Sequence, residues 1–196
     1  MVILGKTYLA NNLRRELTSS HSLSVAVLSI DDLYLPHSGL GDVAKAHPNN
    51  RLLQGRGLPG THDIALGSQI LQQLKQVNDD ETATTVVELP YFDKSLFNGE
   101  GDRSSSGNSV SSPVDVVIFE GWFVGFAPIR RQGIIEKHAQ EIPDLKGLLD
   151  VRSFTINEIA EVNEMLKDYV AWWRFFDTFI QVSDVLPLQC SRLIVD

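Results

Sequence analysis

At 196 residues, with 43% hydrophobic and 21% charged side chains, the chain can bury one core of ordinary size and is too apolar for wholesale disorder. Its net charge of -8 argues against a general nucleic-acid binder, which carries a basic face, and no apolar run is long enough to span a bilayer. The single cysteine, Cys190, leaves no intrachain disulfide, so a reducing compartment fits and the cytoplasm, or the nucleus, is the expected location.

In chain order, Gly5-Lys6-Thr7 opens a helical segment over 6–17. A short apolar run over 24–30 predicts a buried strand, and Asp31-Asp32 follows it directly. The segment Arg56-Gly57-Leu58-Pro59-Gly60-Thr61-His62-Asp63 reads as a rigid turn, followed by a helix over 63–77 with Ile64, Leu71 and Leu74 near one face. A second strand is predicted over 84–89 and a third, the strongest, over 114–119. Between them, residues 99–112 are rich in Gly, Ser and Asn and read as a mobile loop or a lid-like insertion. The longest helical pattern covers 157–176, and a last strand follows over 178–182. Continuous apolar strands suit a parallel sheet covered on both faces, and strands alternating with helices predict a doubly wound α/β fold, whose ligands bind at the carboxyl ends of the strands.

Several motifs sit at such ends. Gly-Lys-Thr is the tail of a phosphate-binding loop, in which Lys reaches the outer phosphates and Thr helps to hold Mg²⁺; a surface lysine at a helix start is the plainer alternative. Asp31 and Asp32 offer carboxylates where a base could accept a hydroxyl proton, or else cap the next segment. Glu120-Gly121-Trp122 ends the strongest strand with an acid in the position that orients a metal or its water shell in P-loop enzymes, or else with a simple loop acid, and Gly121 permits close approach. Arg56 presents a planar fork for a carboxylate or phosphate, while Thr61 or Asp63 could simply cap the following helix and His62 could be structural. Lys94 and Arg103 could bring positive charge to an otherwise acidic site. The aromatics Trp172, Trp173, Phe175 and Phe176 read as core.

Taken together, Gly5-Lys6-Thr7, the Ser29–Leu35 run, the Leu53–Asp63 turn, Asp93-Lys94-Ser95 with Gly99–Arg103, and the Phe119–Phe126 run resemble the fungal ATP-dependent kinases related to plant-type D-glycerate 3-kinase, within the phosphoribulokinase, uridine kinase and pantothenate kinase group of P-loop proteins. The resemblance implies a single P-loop kinase domain over 1–196, with ATP and Mg²⁺ as cofactors and a hydroxyl-bearing small molecule, D-glycerate first among candidates, as acceptor. It implies Asp31, Lys6 and Glu120 as catalytic; Gly5, Lys6 and Thr7 as phosphate-binding; and Thr7 and Glu120 as metal-holding. It lines the acceptor site with Asp32, Tyr34, Arg56, His62, Asp63, Asp93, Lys94 and Arg103. It also implies a strand and loop ahead of Lys6 and a lid after the last strand, neither of which matches here. The expectation is therefore a domain incomplete at both ends and nearly inactive as written, or a non-catalytic nucleotide-binding module of the same family.

Overall fold

A computed structural model describes residues 6–80, 82–140, 153–182 and 189–191. Helix α1 (Lys6–His21) leads into strand β1 (Val25–Ser29), whose Ala26 and Leu28 turn inward while the residues between them are half-buried. β1 pairs in parallel with β6 (Val116–Glu120), and the register runs from Val25 opposite Val116 to Ser29 opposite Glu120. Both strands therefore end at one level, with α1 packed against both.

The remaining pairs are antiparallel. β2 (Val86–Leu89) pairs with β5 (Asn108–Ser111), β3 (Phe92–Asp93) with β4 (Asp102–Arg103), and β7 (Phe179–Gln181) with β8 (Gln189–Ser191). The α/β class holds, but among the described residues the expectation of a mainly parallel sheet holds only for β1 and β6. The run over 84–89 is not covered on both faces: Val87 and Leu89 point inward while Val86 and Glu88 are exposed. That alternation belongs to an antiparallel strand with one wet face. Its partner β5 lies within the stretch expected to be a loop. Asn-Ser-Val-Ser has no apolar run to announce a strand, and the ladder with β2 supplies the pairing that local composition does not.

Helix α3 (Ile64–Lys75) packs Ile70, Leu71 and Leu74 into the core. At Gly67 it lets the indole of Trp172 lie against the helix backbone, where a Cβ would collide with the ring. The pattern over 157–176 does not form one helix. It divides into α5 (Ile156–Met165), a 3₁₀ turn (Leu166–Tyr169) and α6 (Val170–Trp173). A Thr155/Glu158 capping box starts α5, and Glu158 also takes Arg51 at 2.9 Å. Tightening at the 3₁₀ turn brings Tyr169, Trp172 and Trp173, all at most 1% exposed, into one aromatic cluster with Phe123. Burying each such side chain contributes about 1.5–3 kcal/mol. Of the aromatics expected in the core, Trp172 and Trp173 are there and Phe175 and Phe176 pack half-buried against it, and this cluster outweighs the continuity of the helix. Two helices complete the described fold, α2 (His37–Ala46) and α4 (Arg131–Ala139). Among the described residues no helix is long and apolar enough to cross a membrane.

Candidate active site

The parallel pair positions the first part of the site. Lys6 and Thr7 are the first described residues of α1. Thr7 Oγ1 donates to Glu120 Oε1 at 2.8 Å, joining two residues 113 positions apart. The Gly121 that follows lies so close to Ile30 and Val124 that a Cβ would collide with both. Gly5, the remaining phosphate-loop candidate, lies outside the described residues.

Beyond β1 the chain enters a 3₁₀ turn (Ile30–Leu33) capped by Ser29, whose hydroxyl accepts the Asp31 N–H. Neither aspartate is this cap, so both carboxylates remain available for other contacts. Asp31 Oδ1 accepts the Tyr34 hydroxyl at 3.0 Å, and Oδ2 accepts Lys94 Nζ at 2.6 Å. Burial alone would raise the Asp31 pKa, but Lys94 and Tyr34 outweigh it and hold the carboxyl below its ordinary range. Asp32 goes the other way. Its Oδ1 accepts the Phe92 N–H at 3.2 Å, yet burial, with the charges of Asp31 and Glu120 nearby, pushes its pKa up. Adjacent carboxylates thus occupy opposite electrostatic environments, with Asp31 the more firmly ionised.

The turn over 56–63 forms a wall beside them. An antiparallel bridge joins Tyr34 to His62, Leu35 N–H donates to the Thr61 carbonyl and Asp63 N–H to the Leu33 carbonyl. His62 is 3% exposed and stacks on Tyr34 with centroids 4.4 Å apart, and its Nδ1 lies 2.9 Å from the Tyr169 hydroxyl. Burial drives its pKa down to about 3, so the ring is neutral. Asp63 does cap α3, accepting the Leu66 N–H at 3.0 Å, and its other oxygen accepts Arg103 at 3.1 Å. Arg103 also donates to the Tyr34 carbonyl. Arg56 donates to the carbonyls of Gly99 (2.6 Å) and Glu100, tying the wall to the loop ahead of β4. Asp93 folds back on Ser95, whose N–H and hydroxyl both donate to Asp93 Oδ1.

The structure thus brings Thr7 to Glu120, Lys94 and Tyr34 to Asp31, and Arg103 to Asp63, and leaves the Asp93 carboxylate bonded to its neighbour Ser95. Tyr169, whose hydroxyl serves both Gly60 and His62, has no role in the sequence reading. A tyrosine inside an apolar aromatic run is the available signal, because a buried phenol needs a partner. A separate groove of about 700 Å³ lies between Ala46–Asn50, Arg131 and α5, and none of the sequence-predicted site residues lines it.

A parallel β1–β6 pair with α1 packed against both strands defines an α/β protein, the class shared by its relatives. In sequence and in fold the chain resembles the fungal ATP-dependent kinases related to D-glycerate 3-kinase. It is 50% identical over 111 residues to the "Probable ATP-dependent kinase TDA10" of Saccharomyces cerevisiae, a match covering 57% of this chain and 38% of that protein. It is 42% identical over 128 residues to the "Uncharacterized kinase mug58" of Schizosaccharomyces pombe, covering 64% of this chain and 44% of the relative. The solved D-glycerate 3-kinase of Cryptococcus neoformans var. grubii superposes with a TM-score of 0.77 at 36% identity, over 88% of this chain and 57% of that one. The chain therefore spans well under two thirds of the length of these relatives. No protein-family model matches it.

Proposed function

We propose that this chain carries the phosphotransfer site of an ATP-dependent P-loop kinase, moving the γ-phosphoryl group to a hydroxyl of a small metabolite, with D-glycerate the leading acceptor. The observation that carries the reading is the 2.8 Å contact between Thr7 and Glu120, on strands and a helix that also bring Asp31 to the same edge. In this reading Lys6 and the α1 N–H groups hold the outer phosphates. The Thr7 hydroxyl and Glu120 carboxylate are hard oxygen donors suited to Mg²⁺, which takes few protein ligands and completes its shell with phosphates and water. Among the described residues no three His, Cys, Asp or Glu groups are placed to hold a metal ion. Bound there, Mg²⁺ supplies neutralising charge to the phosphates.

The acceptor lies beside Asp31 and Asp32, in front of the wall that Tyr34, Arg56, His62, Asp63, Asp93, Lys94 and Arg103 build, with Tyr34 and His62 buried within that wall. Its hydroxyl oxygen forms the bond to the γ-phosphorus, the bond from that phosphorus to the β–γ bridging oxygen breaks, and the hydroxyl proton passes to Asp31. Asp31 is taken as the base because the family resemblance places it there; Lys94 and Tyr34 favour its charged form, whereas burial disfavours that of Asp32. Lys94 is half exposed and can turn from Asp31 to an anionic group of the acceptor, such as a hydroxy acid's carboxylate.

The test is a thermal-shift series with ATP–Mg²⁺, followed by transfer assays with hydroxy acids, sugars and nucleosides. Asp31→Asn is expected to lower transfer by about 10²–10⁴ while the nucleotide shift persists. Undiminished transfer removes Asp31 as base. A nucleotide shift with no transfer to any acceptor favours the binding-module reading, and no nucleotide response rejects the kinase.

A further inference from the structure

A line of buried contacts runs from the 3₁₀ turn after α5 to the Asp31 carboxylate. Gly60 N–H donates to the Tyr169 hydroxyl at 2.9 Å, and that hydroxyl lies 2.9 Å from His62 Nδ1. The His62 ring stacks on Tyr34, and Phe92 closes the other side of Tyr34 edge-on at 5.1 Å. The Tyr34 hydroxyl donates to Asp31 at 3.0 Å. Tyr169, His62 and Tyr34 are 0%, 3% and 4% exposed, which leaves solvent little access to any of these joints.

Hydrogen-bond counting favours one placement of the protons along this line. With the Gly60 N–H already donated to it, the Tyr169 oxygen can pass its own hydrogen to His62 Nδ1. The neutral ring then carries its proton on Nε2, and one buried group, that N–H, lacks a partner among the described residues. In the reverse arrangement Nδ1–H donates to Tyr169, and two groups go unmet among the described residues: the phenol hydrogen and the Nε2 lone pair. The first arrangement leaves fewer buried polar groups unsatisfied.

We propose that Tyr169 and His62 are positioning residues for Asp31: Tyr169 fixes the His62 tautomer and plane, His62 and Phe92 hold the Tyr34 ring, and Tyr34 aims its hydroxyl at the carboxylate. Tyr34 and His62 then act behind the site rather than as contacts of the acceptor. The functional consequence rests on Asp31 being the base of the kinase reading; the contacts themselves do not. Gly60 belongs to the same device. It adopts φ +99°, and a Cβ there would run into Met165, so the turn meets the end of α5 through a residue with no side chain.

The experiment is heteronuclear NMR on the ligand-free chain, with ¹⁵N-labelled histidine and ¹³C-labelled aspartate. The expected result is the Nε2–H tautomer at His62, with Nδ1 as acceptor. Tyr169→Phe keeps the ring and should shift His62 toward the Nδ1–H form. Tyr34→Phe keeps the stack and should move the Asp31 titration to higher pH, while Lys94, Asp32 and His62, the other groups that face it, stay in place. In the transfer assay Tyr169→Phe should lower kcat by roughly ten- to a hundred-fold with KM for ATP unchanged. An Nδ1–H tautomer in the unmodified chain overturns the proposal, as does a folded Tyr169→Phe variant with unchanged His62 and Asp31 signals. Should Tyr169→Phe fail to fold, the native tautomer and the Tyr34→Phe titration decide it. A chain that transfers no phosphate would reject the kinase reading, whereas the His62 tautomer and the Asp31 titration would still decide the positioning contacts.

Discussion

Two parts of the candidate site are built in contrasting ways. The wall of Tyr34, His62 and Tyr169 is closed by aromatic packing and buried hydrogen bonds, so its geometry is set without any ligand. Among the described residues, the Thr7–Glu120 end is joined by one side-chain hydrogen bond, between an exposed hydroxyl and a half-buried carboxylate. Packing fixes the part that orients the proposed base, while Lys6, Thr7 and Glu120, in the part proposed for nucleotide and metal, are half-buried or exposed. A site divided this way needs no large rearrangement on its acceptor side.

The sharpest way to break that contrast is through the packing. Trp172 is fully buried, donates to Ser68 at 2.9 Å and fills the hollow above Gly67. Trp172→Ala is expected to cost about 3–5 kcal/mol in urea unfolding. A loss under about 1 kcal/mol would mean that the wall is not secured by its aromatic cluster.

Acid offers a second lever. The ring of His62 has a folded pKa of about 3 against an ordinary 6.5, so the native state binds fewer protons than the unfolded chain between those values. Stability attributable to its burial is therefore complete above pH 6.5 and is lost as pH falls toward 3. Glu158, depressed to about 2 chiefly by Arg51, adds its own loss as pH drops below 4.5. Unfolding measured across this range should show the decline starting near pH 6.5, with the His62 ring still neutral by NMR at pH 5. A ring that titrates near 6.5 would show the wall to be wet.

The smallest expected effect comes from the open end. Thr7→Val should change stability by less than about 1 kcal/mol, since one exposed hydrogen bond is lost, while weakening the ATP–Mg²⁺ thermal shift. A destabilisation as large as that of Trp172→Ala would erase the distinction between the two ends.

Much of this was readable from the chain. The strands at Val25–Ser29 and Val116–Glu120, the helix at Ile64–Lys75 and the Asp63 cap all follow from apolar runs, periodicity and cap chemistry. The convergence of Thr7 and Glu120 could be anticipated only as a motif pairing, because 113 residues separate them. β5 was hidden because Asn-Ser-Val-Ser becomes a strand only through its partner. The break at Leu166–Tyr169 was hidden because the apolar spacing of Met165, Tyr169 and Trp173 suits an unbroken helix equally well, and only the aromatic cluster distinguishes the two. The ion pair of Lys94 with Asp31 joins side chains 63 positions apart and has no local signature.

The matched ends of β1 and β6 also limit how the gene can vary. Because side chains along a strand alternate between faces, one codon inserted or deleted in either strand would turn Glu120 away from Thr7 or shift Asp31 off its edge. Length changes are better absorbed in the exposed loop between β4 and β5, where neither strand's register depends on the count.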